Sequence, residues 1–189
     1  MATSVRWTIS DLEGLPQPLD DKRYEIIEGE LHVTSQPTWQ HQATCRNVLR
    51  LLDTWSQQTN SGEANLAPGV VFSPEDAVAP DVVWVSRERL PLILGDDGKL
   101  HGAPDLMIEV LSPGSSNERR DRETKLRLYS LQGVREYWIL DWQQRSVTVF
   151  RREQASLRLT ATLYEQDQLE SALLPGFSCS VAHLFGRTG

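Results

Sequence analysis

Three short apolar runs, the last two separated by an amphipathic helix, limit this chain to a small set of folds. The runs are DVVWV (81–85), DLMIEVL (105–111) and EYWILD (136–141), and each has the length and apolar content of a buried strand. Residues 118–132 have helical spacing and end before Gly133, a residue type common at helix C-termini. This order of elements predicts an α/β domain in which helices flank a mixed central sheet.

The remaining elements are predicted from periodicity and turn residues. Apolar positions at helical spacing predict an amphipathic helix over 40–57, closed by Gly62. The capping-box spacing of Ser10 and Glu13 predicts a short helical turn that starts near Asp11 and ends before Pro16. The other expected elements are a hairpin over 23–33 that turns at Glu28-Gly29, strands over 66–72, 147–152 and 157–164, and a closing loop with a short helix over 173–185.

Composition indicates one globular domain over residues 1–189, and its charge restricts the partners. The net charge of −7 and the pI of about 5.1 argue against a protein that coats nucleic acid, because such binding comes mainly from neutralisation of phosphates by Lys and Arg. An enzyme acting on DNA would therefore need a local basic patch. No apolar run is long enough to span a membrane, the N-terminus lacks signal-peptide order, and Cys45 and Cys179 are isolated, so we expect a cytoplasmic protein.

Two acidic residues lie within or next to apolar runs, where acidic residues are uncommon. Glu109 lies inside the apolar run 105–111, where a carboxylate costs several kcal/mol unless it is paired or binds a metal. Asp81 opens a second apolar run directly after Pro80. Each acid alone could be structural, with Asp81 ending its strand and Glu109 pairing with an Arg. Together, on neighbouring strands, they predict a Mg²⁺ site, because hard cations prefer carboxylate oxygens.

Strand geometry decides which other acids can join this site. Asp105 and Glu109 share one face but lie about 13 Å apart along the strand, too far to bind one ion, so Asp105 is expected to be a strand-start residue. Alternation places Glu25 on the more apolar face of its strand, from which it could approach the metal, and leaves Glu30 in solvent. His41 could start its helix near the same cleft, although a lone His is more often a surface or capping residue.

The helix over 118–132 supplies positive charge. Asp121, Lys125 and Tyr129 fall on one stripe of the helix, at the edge of its apolar face. The alternative for Lys125 is an exposed intrahelical pair with Asp121. The arginines of the same segment (Arg119, Arg120, Arg122 and Arg127) form the local basic patch, or else a solvated helix face laced with acids.

Several stretches, in this order, carry a resemblance to a known family. They are YEIIEGEL (24–31), the helix entered through His41, APDVVWV (79–85), GAPDLMIEVLSP (102–113), D-x3-K-x3-Y (121–129), GVREYWILD (133–141) and a closing LLPGF. This series resembles the Uma-type restriction endonuclease family of the PD-(D/E)XK nuclease superfamily. The general superfamily pattern places a lysine two residues after the acid, but Leu111 stands there. The resemblance implies that the lysine has moved to the following helix, where Lys125 fits.

The resemblance implies a restriction-endonuclease-like fold and a Mg²⁺-dependent endonuclease that hydrolyses DNA, with Mn²⁺ as a substitute metal. Asp81 and Glu109 would hold the ion, Lys125 would assist at about 3 to 5 Å from their carboxylates, and Glu25 could complete the catalytic site. Arg119, Arg120 and Arg122 would contact the DNA backbone. Lys125→Met is expected to preserve folding and metal binding but to slow hydrolysis.

Two other functions are compatible with the sequence, and a homodimer is expected. The chain could be a catalytically inactive DNA-binding or assembly module of the same fold. It could also hydrolyse a small phosphodiester, which would suit its acidic pI. Cutting both strands of a duplex needs two active sites, which favours a homodimer.

Overall fold

The computed structural model of the chain describes residues 5–14 and 22–186, which form a mixed α/β architecture. The strands are β1 Arg23–Ile27, β2 Glu30–Thr34, β3 Gly62–Leu66, β4 Val70–Ser73, β5 Asp76–Val78, β6 Val82–Ser86, β7 Leu106–Val110, β8 Glu136–Asp141, β9 Ser146–Glu153, β10 Ser156–Tyr164, β11 Gln168–Glu170 and β12 Ser178–Ser180. The helices are α1 Ile9–Glu13, α2 Trp39–Thr59, α3 Leu90–Ile93, α4 Ser115–Arg119 and α5 Leu126–Gln132, with a π-helical segment Arg120–Lys125 and a 3₁₀ turn Val181–His183.

The central sheet has six strands in the order β10-β9-β8-β7-β6-β3. Strands β7 and β8 are parallel and the other neighbours are antiparallel, so the sheet is mixed, as the sequence predicts. All five residues of β7 and all six of β8 are buried, because helices cover both faces of the sheet. The predicted fold class is therefore confirmed.

Alternate residues of β6 and β7 pack into two separate cores. Val82 and Ile108 lie in the core that contains α2, together with its residue Leu52. Val83 and Met107 face the opposite core. The second core contains α5, so the central strands are enclosed between α2 and α5.

A second sheet, in the order β2-β1-β5-β4, lies beside the second core. Strands β1 and β2 form the predicted hairpin, and Glu28 and Gly29 make its turn with φ of 53° and 76°. Positive φ at both central positions is the requirement of a two-residue turn whose twist matches the strands. Strand β1 carries Glu25 into the interior through this sheet.

Helix α2 is longer than predicted and ends differently. It begins after Thr38, whose hydroxyl accepts a hydrogen bond from the amide of His41, and it ends at Asn60 in the left-handed conformation. Gly62 does not close the helix. It opens β3 instead, where it lies against the indole of Trp84.

Residues 115–132 form one composite helix, made of α4, the π-helical segment and α5. It ends at Gly133 with φ of 87°, as the sequence predicts. The expectation of a regular α-helix was wrong in the middle, because six residues from Arg120 to Lys125 have π-helical bonding. Short π segments are often found at functional sites.

Three local predictions differ from the structure. Residues 66–72 are not one strand, because β3 ends at Leu66 and Ala67 turns the chain with φ of 43° before β4 begins. Helix α1 starts after Thr8, which forms the capping box with Asp11, rather than after Ser10. It ends at Glu13, with Gly14 as the C-cap, in agreement with the prediction that it ends before Pro16. The closing segment contains the predicted short helical turn and also β12, which pairs with β11.

Within residues 5–14 and 22–186, no helix is long and apolar enough to cross a membrane. Cys45 and Cys179 are both free and buried.

The contact at Gly62 provides a test of the β3–β6 pairing. A Cβ at this position would overlap the carbonyl of Val85 and approach the Trp84 indole to 2.5 Å, and that indole is held by a hydrogen bond to Ser56. We expect Gly62→Ala to lower the free energy of unfolding by about 1–3 kcal/mol, as overpacking typically does. Gly14→Ala is the control, because its Cβ would meet its nearest atom at 3.5 Å. Equal denaturation midpoints for the two variants would contradict this packing.

Candidate active site

A cleft of about 180 Å³ lies where several elements meet at one end of the central sheet. Its lining includes Arg23 at the start of β1, His41 in the first turn of α2, Asp81 before β6, Glu109 in β7 and Asp121 in the π-helical segment. All but Arg23 are buried polar groups. Buried ionisable groups in a concave site are typical of binding or catalytic positions.

Asp81 and Glu109 are neighbours because of the register between β6 and β7. Val82 is paired with Ile108, so Asp81 lies one position further, opposite Glu109. Opposite residues of an antiparallel pair point to the same face with Cβ atoms about 4.5–5.5 Å apart. The Asp81 Oδ2 atom also accepts a hydrogen bond of 2.8 Å from the amide of Val110, which fixes the carboxylate at the floor of the cleft.

Asp81 is held as an anion by two further partners. Its Oδ1 atom accepts a 2.8 Å hydrogen bond from Arg23, and its Oδ2 atom lies 3.1 Å from Nε2 of His41. Burial alone would raise the pKa of Asp81, but the hydrogen bond from His41 and the charge of Arg23 hold that pKa well below its usual range.

Lys125 is buried and lies among three carboxylates. Its Nζ atom is 2.9 Å from Oε1 of Glu109, 2.9 Å from Oε1 of Glu25 and 3.8 Å from Oδ1 of Asp121. The side chain is 1% exposed, so the alternative of an exposed pair with Asp121 is wrong. Burial opposes the charged form, but the carboxylates of Glu109 and Glu25 raise the pKa of Lys125, so it remains an ammonium ion.

Glu109 and Glu25 share this ammonium ion but differ in their pKa. Burial raises the pKa of Glu109 to about 8 against the opposing effect of Lys125, and the negative charges of Asp81, Asp121 and Glu25 add to the increase. Burial also disfavours ionisation of Glu25, but Lys125, Arg120 and the amide of Ala79 keep its pKa below the usual value. Of these two groups, Glu109 is therefore the one whose ionised form a further cation would stabilise more.

Two buried tyrosine hydroxyls donate hydrogen bonds to residues of the site. Tyr129 donates a 2.8 Å hydrogen bond to Oε1 of Glu109, and Tyr137 donates a 3.0 Å hydrogen bond to the backbone carbonyl of Asp121. Burial raises the pKa of both hydroxyls well above the usual value, so both remain donors. They fix the rotamer of Glu109 and the backbone of the π-helical segment.

The three predicted DNA-contacting arginines do not share one environment. Arg120 is largely buried, lines the cleft and donates a hydrogen bond of 3.2 Å to Asp121. Arg119 is 76% exposed and pairs with Glu123, and Arg122 lies 3.8 Å from Asp141. Adjacent residues such as Arg119 and Arg120 point in different directions on a helix, so the three arginines do not form one surface.

The structure therefore brings Asp81, Glu109, Lys125 and Glu25 together, with His41 beside them. Asp105 is separate, as expected: it is fully buried and pairs with Arg89 and Arg135.

Sequence reasoning missed two members of the cleft, Arg23 as the partner of Asp81 and Asp121 as a buried lining residue. Strand alternation places Arg23 on the same face of β1 as Glu25, which signals that it lies near the site but not that it pairs with Asp81.

His41, Cys45 and Asp81 form a cluster of groups that could bind a metal, with one ligand atom of each within 4.8 Å of the others. His41 and Cys45 are one helical turn apart, and Sγ of Cys45 lies 3.5 Å from Nδ1 of His41. Burial raises the pKa of the Cys45 thiol, so this group stays protonated in the protein without a metal. His41 and Asp81 thus contact each other in the cleft, and Glu109 lies opposite Asp81 on the neighbouring strand.

Comparisons with known proteins identify a family and a fold. Residues 9–182 match the family described as "Uma2: Putative restriction endonuclease". The fold is similar to the crystal structure of a putative nuclease belonging to DUF820 from Anabaena variabilis ATCC 29413, with a TM-score of 0.74 and 20% sequence identity over 94% of this chain and 97% of that chain. At this identity the likeness establishes the fold. A comparison with curated proteins found no match.

The burial of Lys125 changes what its replacement should do. Lys125→Met would leave Glu25 and Glu109 buried without their shared cation, so we expect a loss of about 3–5 kcal/mol in the free energy of unfolding, in place of the unchanged stability expected from the sequence. Lys99→Met is the matched control, because Lys99 is 43% exposed and lies 3.9 Å from Asp97. It should change stability by about 0.5 kcal/mol or less. Chemical denaturation of both variants measures the difference, and equal stabilities would rule out a buried ion-pair network.

Proposed function

The chain belongs to the Uma2 family, and from this premise we propose that it is a metal-dependent endonuclease that hydrolyses phosphodiester bonds of DNA. The observation that carries the proposal is the adjacency of Asp81 and Glu109 at the floor of a cleft, with the ammonium group of Lys125 directly behind Glu109. Carboxylates held together in this way repel one another and would be stabilised by a divalent cation.

The donor set fits Mg²⁺, with Mn²⁺ as a substitute. Asp81 and Glu109 offer carboxylate oxygens on one side of the cleft, and the open side leaves room for the waters that Mg²⁺ retains. When bound, such an ion lowers the pKa of a coordinated water and stabilises negative charge on the phosphate. Glu25 belongs to the same network through Lys125 and helps to set its charge.

Lys125 acts in this proposal as a fixed positive charge. An ammonium ion with a raised pKa has no free electron pair to accept a proton, so it cannot serve as the general base. It offsets the charges of Glu109 and Glu25 and holds Glu109 in the rotamer that faces the cleft. The hydroxyl of Tyr129 contributes to the same orientation.

The cleft has the local positive charge that an acidic protein needs to bind DNA. Lys22, Arg23 and Arg120 all line it, although the net charge of the chain is −7. Cations at the rim can contact phosphate oxygens and position the backbone without reading base sequence. Arg119 and Arg122 lie on the same composite helix and could extend this contact along the DNA.

The remaining parts of the proposal concern location and assembly. Free, buried Cys45 and Cys179 suit a reducing compartment and support a cytoplasmic location. A homodimer would supply the two active sites that cleavage of both strands requires.

A second candidate is hydrolysis of a small phosphodiester. The cleft of about 180 Å³ is below the usual range of about 300–1,000 Å³ for small-molecule sites, which favours a compact substrate. Competition between plasmid DNA and bis(p-nitrophenyl) phosphate separates the two candidates. The substrate that fits the site better should inhibit hydrolysis of the other at the lower concentration. Metal-dependent binding of plasmid without cleavage would instead indicate an inactive DNA-binding module.

The metal ligands are tested by isosteric replacement. Asp81→Asn and Glu109→Gln should each reduce Mg²⁺ and Mn²⁺ affinity at least tenfold by calorimetry and abolish plasmid cleavage, because each removes a charged oxygen ligand. Glu136→Gln is the control, since Glu136 is also 2% exposed but is held outside the cleft by Trp138, Arg151 and Ser171. Unchanged metal affinity in both cleft variants would place the metal elsewhere.

The DNA contact is tested by its salt dependence. Arg120→Gln should weaken DNA binding and reduce the slope of log K against log salt by about 0.9, the value for one lost phosphate contact. Arg119→Gln and Arg122→Gln should have smaller effects, because both side chains are farther from the cleft and more exposed. Arg158→Gln, on the exposed edge of β10, is the control. A slope equal to that of the parent for Arg120→Gln would exclude this contact.

A further inference from the structure

His41 reaches the floor of the cleft from a different element than the carboxylates do. It lies in the first turn of α2, where the hydroxyl of Thr38 accepts a hydrogen bond from its backbone amide at 3.3 Å. The side chain is buried and lines the cleft, and its Nε2 atom is 3.1 Å from Oδ2 of Asp81. The position of the imidazole is therefore fixed by the start of the helix and by Asp81.

The distance between these two atoms fits two ligands of one metal ion. Ligands about 2.1 Å from an ion and at right angles to each other are separated by about 3.0 Å. Nε2 of His41 and Oδ2 of Asp81 are already at this separation, and Glu109 lies opposite Asp81 on the next strand. An ion bound by these two atoms would have Glu109 as its neighbour on the next strand.

The other ring nitrogen of His41 has its own partner. Nδ1 lies 3.5 Å from Sγ of Cys45, one helical turn along α2. A histidine that binds a metal through one nitrogen usually donates a hydrogen bond from the other, which fixes its tautomer. Since Nδ1 and Nε2 are on different sides of the ring, an ion at Nε2 is directed away from Sγ. Cys45 is then a positioning residue.

We propose that His41 is a metal ligand through Nε2, together with Asp81 and Glu109, and that it makes the site prefer a divalent transition ion over Mg²⁺. Imidazole binds ions such as Fe²⁺, Co²⁺ and Zn²⁺ well, whereas Mg²⁺ prefers oxygen. The inference rests on the proposed metal site and adds a third ligand to it. Because this ligand is a nitrogen atom, it changes which ion the site favours.

The probe is Co²⁺, compared with Mg²⁺ in calorimetry. His41→Asn should lower the affinity for Co²⁺ at least tenfold and that for Mg²⁺ less than threefold, because only the nitrogen donor is lost. His101→Asn is the matched control: His101 also contacts an aspartate, Asp97, at 2.9 Å, but it is 49% exposed and outside the cleft. An equal loss for both ions, or no loss for either, would overturn the preference.

Ligation by His41 can also be tested on the unaltered protein, so that the result does not depend on whether the His41→Asn variant folds. Nuclear magnetic resonance with ¹⁵N-labelled histidine should give one strongly shifted, exchangeable imidazole N–H signal when Co²⁺ binds. Cys45→Ala should retain the signal at lower Co²⁺ affinity. Absence of a shifted histidine signal would overturn ligation by His41. A sulfur-to-cobalt charge-transfer band in the near ultraviolet would overturn the assignment of Cys45 as a positioning residue rather than a ligand.

The two proposals fail in different ways. If Co²⁺ and Mg²⁺ both bind and both respond to Asp81→Asn, but no histidine signal shifts, the third ligand is wrong and the metal site stands. If neither ion binds the unaltered protein, or if Asp81→Asn and Glu109→Gln leave binding unchanged, the proposed metal site itself is wrong.

Discussion

The buried ammonium group of Lys125 is the interaction on which the rest of the site depends. It contacts Glu25 from the small sheet and Glu109 from the central sheet, while its own backbone belongs to the composite helix. Three elements far apart in sequence therefore meet at one charge. Burying carboxylates without such a partner would cost several kcal/mol each, so the ammonium group permits the acids to lie inside the protein. The same contact orders Glu109 toward the cleft.

The composite helix supplies this charge from its π-helical segment. Its π-helical segment from Arg120 to Lys125 directs Asp121 and Lys125 inward, and Tyr137 hydrogen bonds to the carbonyl of Asp121 within the segment. The segment also turns Arg120 into the cleft, whereas Arg119 remains exposed. One irregular stretch thus sets both the buried charge and the positive rim.

An acidic chain can hold such a site because its charges are distributed unevenly. Lys22, Arg23 and Arg120 line the cleft beside the carboxylates of Asp81, Glu109 and Asp121, although the net charge of the chain is −7. Asp81 shows the same balance, because its carboxylate contacts both Arg23 and His41.

The sequence alone determined the central strands, the hairpin at Glu28-Gly29, the end of the composite helix at Gly133 and the meeting of Asp81, Glu109, Glu25 and Lys125. These follow from periodicity, from turn residues and from acids inside apolar runs, all of which are local properties, and from the order of motifs that the family shares. Tertiary structure decided the partner of Asp81, because Arg23 is 58 residues away and reaches it only through the packing of two sheets. It also decided the π-helical segment, the division of the arginines and the turn at Ala67 that breaks residues 66–72. Local periodicity cannot encode these features, since each depends on the register and the rotation with which distant elements pack together.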